Sequence, residues 1–111
     1  MLNVPTLAVY DGTVMRFLKA EEIMYCLAEG AYTSIYLSSK ERLMISKNLK
    51  AISEQLPQTY FVRVHQSCVV NLYHVLHYQN GNVSVVRMSN QEEISVSRNR
   101  KAVFLNRFKK L

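Results

Sequence analysis

Three features of the sequence predict a mainly β fold, antiparallel, with one short helix at about 47–56 and a C-terminal helix at about 98–110. Short segments rich in aromatic and aliphatic residues recur along the chain, each bounded by a turn signal, as in strands that fold back on one another. An Asn80-Gly81 pair lies between two such segments, the strongest short-range signal for a hairpin. Helical spacing of apolar residues is confined to the two short windows named above.

Residues 1–10 read as a linker or a leading strand ahead of a turn at Asp11-Gly12. Strands are then predicted at 13–19, 23–28, 32–38 and 42–46, with turns at Glu29-Gly30 and Ser39-Lys40. Glycine tolerates positive φ, so Glu29-Gly30-Ala31 makes a tight connection that leaves Tyr32 and Thr33 beside the turn. Ser46 can cap the first helix, in which Leu49, Ile52 and Leu56 recur at helical spacing until Pro57 blocks continuation. Residues 60–64 alternate like a strand, His65-Gln66-Ser67 interrupts the pattern, and Cys68-Val69-Val70 resumes it. Strands at 72–78 and 83–88 flank Gln79-Asn80-Gly81-Asn82, which predicts a type I′ turn, and 92–96 gives one more strand. Ser97 can cap the terminal helix, where Val103, Phe104, Phe108 and Leu111 form an apolar stripe.

With 111 residues, 49% of them hydrophobic, the chain has the length for one core, and 1–111 is expected to form a single domain. Its longest apolar run, residues 23–28, is far short of the roughly 20 residues that cross a bilayer. The start at Met1 to Pro5 lacks the charged and apolar regions of a secretion signal, so a cytoplasmic location without membrane contact is expected. Cys26 and Cys68 sit in apolar stretches with no second pair at metal-ligand spacing, which predicts buried, reduced thiols.

The charge is unevenly placed. The net +6 comes entirely from residues 97–111, where Arg98, Arg100, Lys101, Arg107, Lys109 and Lys110 occur with no acid. Elsewhere eight bases balance all eight acids. A localised basic end suits a polyanionic partner, most simply nucleic acid, although a solvated helix terminus gives the same count. Catalytic patterns are missing. Ser67 beside His65 lacks a Gly-x-Ser-x-Gly elbow, and neighbouring positions rarely supply triad geometry. His74 and His77 fall on opposite faces of a predicted strand and have no further ligands nearby, so neither a metal nor any other cofactor is expected. No Walker loop or Gly-x-Gly-x-x-Gly is present for a nucleotide.

Several ordered blocks resemble the LytTR DNA-binding domain, an output domain of bacterial response regulators, across about residues 13–110. They are the run Glu22-Ile23-Met24-Tyr25-Cys26-Leu27-Ala28-Glu29-Gly30-Ala31-Tyr32-Thr33, the Leu49 helix, and Phe61-Val62-Arg63-Val64-His65-Gln66-Ser67-Cys68-Val69-Val70-Asn71. The last is similar to the family's Phe-x-Arg-x-His-x-Ser-x-x-Val-Asn motif, and Ile94-Ser95-Val96-Ser97-Arg98 closes the match. The chain departs from the family at Gln66, where arginine is frequent, and at Leu27, where an acid often sits.

The resemblance implies elongated antiparallel sheets whose loops enter successive major grooves of duplex DNA. On matching positions it makes Arg98 and Gln66 base readers, because guanidinium pairs with guanine O6 and N7 and an amide pairs with adenine N6 and N7. Tyr32 and Thr33 form a third contact on the same reasoning. Arg63, Ser67, Asn99, Arg100 and Lys101 lie beside these readers and are expected at phosphates. His65 and Asn71 are expected to hold the loop through hydrogen bonds to the backbone. The implied partners are double-stranded DNA bearing direct repeats, a second copy on that DNA, and an N-terminal receiver or sensor domain absent from this chain. The alternative is a single-strand-binding or protein-interaction module that uses Tyr32, Tyr36, Tyr60 and Phe61 as stacking platforms.

Overall fold

A computed structural model describes residues 5–111 as three antiparallel sheets and two short helices. Of the predicted leading segment, residues 5–10 run into the first strand, while residues 1–4, and with them most of the stretch read for a secretion signal, lie outside the described residues.

Strands β1 (Thr6–Asp11) and β2 (Val14–Lys19) form a ribbon closed by Gly12 at φ 69°. The five-stranded sheet comprises β3 (Ile23–Glu29), β4 (Tyr32–Leu37), β5 (Arg42–Ile45), β6 (Phe61–His65) and β7 (Cys68–Asn71), in the spatial order β5-β4-β3-β7-β6. The third sheet holds β8 (Val75–Gln79), β9 (Ser84–Met88) and β10 (Glu93–Val96). Helix α1 (Leu49–Gln55) links β5 to β6, and α2 (Lys101–Leu105) follows β10.

The central sheet is covered on both faces. One core joins Cys26, Ile35, Ile45 and Val69 to Leu18 of the ribbon and Leu49 and Leu56 beside α1. The other joins Tyr25, Val62, Cys68 and Val70 to Val86, Met88, Ile94 and Phe104. Burial on two faces explains why residues 23–28 read as an unbroken apolar run rather than as alternation. It also sets Cys26 and Cys68 in different cores, both reduced, and desolvation pushes the Cys26 thiol up to about 12 and raises that of Cys68 as well.

Several local expectations are corrected by side-chain chemistry. Asn48, not Ser46, caps α1, its Oδ1 accepting from the Ala51 N–H at 2.9 Å. Leu72–His74 is a 3-10 turn rather than strand, because Asn71 Oδ1 accepts from the Tyr73 N–H at 2.9 Å and diverts the backbone from a ladder. The β8–β9 connection is not type I′, since neither Asn80 nor Gly81 has positive φ. Asn80 Oδ1 instead gathers the Ser84 hydroxyl at 3.1 Å and the Tyr78 hydroxyl at 3.3 Å. The terminal helix is only five residues long, preceded by a 3-10 turn at Arg98–Arg100. Of its predicted stripe Phe104 alone is buried, while Val103, Phe108 and Leu111 are exposed. Beyond the helix, Arg107 fastens the chain by donating to the Gln58 carbonyl at 2.6 Å.

Candidate nucleic-acid interface

Register brings three turns to one end of the central sheet. β3 and β7 are neighbours, with Leu27 opposite Cys68, and the Ala28 N–H donates to the Ser67 carbonyl at 2.8 Å. The β3–β4 turn at Gly30 and the β6–β7 turn at Gln66 therefore project side by side. The third turn is fastened to β6 by Ser97, whose N–H and hydroxyl donate to the Val64 carbonyl at 2.8 and 3.3 Å. That carbonyl takes both donors of Ser97, so the hydroxyl locks the turn in place rather than capping a helix. Arg98 to Arg100 emerge next to the β6–β7 turn as a result.

The β6–β7 turn is rigid by construction. A register irregularity between Arg63 and His65 twists the hairpin just before it. His65 Nδ1 lies 2.9 Å from the Ser67 hydroxyl and accepts from the Ser67 N–H at 3.1 Å. Arg63 donates to the Gln66 carbonyl. Gln66 itself is exposed, and its side chain makes no hydrogen bond with any described residue. His65, Ser67 and Arg63 thus hold the backbone while Gln66 is presented outward.

The third turn presents Arg98 and Asn99 exposed and Arg100 half-buried, none with a hydrogen bond or ion pair from its side chain among the described residues. Lys101 is different: its ammonium donates to Asn80 Oδ1, bracing the β8–β9 loop against the turn and leaving two donors for another partner. A groove of about 520 Å3 runs between that loop and the turn, lined by His65, Asn82, Arg98 and Lys101. Sequence reasoning did not place the 80–84 loop here; its turn signal was visible, its neighbour was not.

In the remaining turn, Tyr32 is half exposed, at 50%. Thr33 is fully buried, and its hydroxyl donates to the Lys47 carbonyl at 2.7 Å, which leaves it no surface to offer a partner. Asn71 sits at the far end of β7. Its amide donates to the carbonyls of Ile23 at 2.8 Å and Ala20 at 3.3 Å, so it fastens the 3-10 turn Ala20–Glu22 and not the outward turns. His74 works beside it, its ring nitrogens bonded to the Glu21 carbonyl at 2.7 Å and the Ser89 hydroxyl at 3.0 Å. Of the aromatic residues weighed as platforms, Tyr36 stacks on Tyr25 at 4.7 Å, Phe61 is buried and Tyr60 packs on Tyr73 at 5.1 Å.

The LytTr DNA-binding domain family matches the chain over residues 13–109, a span that holds all three turns. The chain belongs to that family. A solved structure with the same fold is the LytTr DNA-binding domain of a Bacillus cereus protein described as a methyl-accepting/DNA response regulator. The two share a TM-score of 0.77 and 19% identity over 92% of this chain and 94% of the other. At that identity the likeness speaks for the fold. No curated protein matches the chain. In this LytTr domain the family motif therefore divides by role. Asn71 fastens one end of the sheet, His65 and Ser67 stiffen the turn at the other, and Gln66 and Arg98 stand free beside it.

Proposed function

We propose that this domain binds duplex DNA sequence-specifically, with its three turns entering major grooves, as the DNA-binding part of a transcriptional regulator. The observation that carries the reading is the convergence of two unengaged readers, Gln66 and Arg98, on turns anchored by internal hydrogen bonds. Preordered backbone with a free polar tip suits base readout, because the turn itself loses little conformational freedom on contact and the tip has no internal bond to break. Arg98 would take guanine through O6 and N7, and Gln66 an adenine or a water-bridged base edge. Tyr32 is the third contact, through its hydroxyl or through its ring against a thymine methyl. Asn99, Arg100 and the free donors of Lys101 would hold phosphates. Arg63, Ser67 and His65 act by holding the turn. Glu92 borders another flank of His65 and Ser67, where its charge would repel phosphate and limit the footprint, while Glu93 beside it is neutralised by Arg87 at 2.6 Å.

Binding as two copies on direct repeats, under an N-terminal receiver or sensor domain, completes the proposal. The stacking alternative loses support from rings spent on packing within the fold. Selection from a random duplex pool at near-physiological salt tests the reading, with Arg98→Ala alongside. A repeated motif enriched by the wild type and lost in the variant is the expected result. Enrichment of nothing by the wild type, or of the same motif by both proteins, would overturn it.

A further inference from the structure

On one face of the central sheet, the β1–β2 ribbon lies against β5 as a separate sheet. The space between the ribbon and α1 is a cavity of about 390 Å3, walled by Leu7, Val9, Ile23, Ile35, Ile52 and Leu56. That volume falls within the roughly 300–1,000 Å3 typical of small-molecule sites, and an apolar cavity holds organic molecules more readily than water. It opens onto a second, polar hollow that shares Leu7, Ala8, Ser46, Lys47, Ala51 and Gln55 with it and adds Asn48 and Glu54. The geometry points to a binding site for a small amphipathic organic acid, its apolar body in the cavity and its carboxylate at the mouth against Lys47.

Lys47 borders both spaces, is exposed, and forms no ion pair among the described residues. Glu54 borders only the outer hollow, so the acid group seats on the Lys47 side. Tyr32 lines the cavity, Ala31 lines the mouth, and the Lys47 carbonyl receives the Thr33 hydroxyl. An occupant therefore touches the segment that carries the β3–β4 turn. That this contact alters DNA binding rests on the function proposed above; the binding itself does not.

The test titrates the chain with anilinonaphthalene sulfonate, followed by fluorescence, and then displaces the probe with decanoate or with decanol. One saturable site is expected, with decanoate the better competitor. Ala51→Phe, which projects a ring into the shared opening, should weaken probe and decanoate by about tenfold. Lys47→Gln changes an exposed side chain and keeps the test readable should Ala51→Phe fail to fold. It should weaken decanoate by about threefold, the scale of an exposed ion pair, and leave decanol unchanged. Absence of saturable binding, or indifference of decanoate to both substitutions, would overturn the site; equal competition by decanoate and decanol would overturn the role of Lys47. Saturating decanoate that leaves affinity for a selected duplex unchanged would overturn the coupling to Tyr32 alone.

Discussion

Replacing Asn71 with alanine removes a fully buried amide that bonds three backbone groups: the carbonyls of Ile23 and Ala20 at 2.8 and 3.3 Å, and the Tyr73 N–H at 2.9 Å. A buried polar group left without its partner costs about 1–3 kcal/mol. The Ile23 carbonyl and the Tyr73 N–H have the shorter bonds, and losing those two gives a destabilisation of about 3 kcal/mol. For a domain near this size each kcal/mol corresponds to about 4–8 °C, so Tm should fall by about 12–24 °C. Urea unfolding followed by circular dichroism measures the free energy, and DNA titration of the folded variant at low temperature measures the interface. Because Asn71 lies at the opposite end of β7 from Ser67, DNA affinity of the folded protein should stay within about twofold of wild type. A loss of stability below about 1 kcal/mol would refute the hydrogen-bond argument. Normal stability with lost DNA binding would refute the division between the two ends.

Phe104→Ala, which empties a site only 1% exposed, should cost about 3–5 kcal/mol in urea unfolding, whereas Val103→Ala on the exposed side of α2 should cost almost nothing. Cys26 and Cys68 should resist iodoacetamide in the native protein at mildly alkaline pH and react rapidly once urea is added, since desolvation raises both thiols; mass spectrometry of the adducts reads this. Arg63→Ala should lower DNA affinity while leaving the selected motif recognisable, because the guanidinium fixes the Gln66 carbonyl rather than a base; fluorescence anisotropy against the selected duplex measures it. The Arg16 guanidinium, 2.5 Å from Glu41, holds that carboxyl below its ordinary value. A depressed folded-state value means the pair contributes at neutral pH and is lost as pH falls through it. Glu41→Gln should therefore flatten the acid limb of a stability-against-pH curve slightly, and added salt should erase the difference, as the pair is exposed.

What could be read from the sequence was whatever depends on neighbours along the chain. Residues 32–38 and 42–46 gave strands within a residue of those observed, and the Leu49 helix ended where Pro57 requires. The errors arose where a side chain competes with the backbone for hydrogen bonds. Asn71 turned a predicted strand into a 3-10 turn, Asn80 replaced a tight hairpin with a gathered loop, and Asn48 displaced Ser46 as cap. Each outcome depends on which acceptor lies closest, which periodicity does not encode. The terminal helix was overestimated because Leu111 matched a helical stripe although it is fully exposed, and because Phe108 reaches the ring of Phe104 from beyond the last helical residue. At the site, the motif residues themselves were legible, but their roles were not. Whether Thr33 faces inward, and whether Arg98 stands beside Gln66, follows from the pairing of β3 with β7 and from the Ser97 bonds to Val64. Those contacts join segments far apart in the chain.

The central claim is that DNA meets the end of the sheet that carries the three turns. Backbone amide shifts on adding a selected duplex to the isotope-labelled protein test it most directly. The largest changes are expected at 30–32, 65–67 and 97–101, with residues 20–22 and 72–74 at the opposite end unmoved. Changes concentrated at that opposite end or along the β1–β2 ribbon, with the three turns silent, would contradict it.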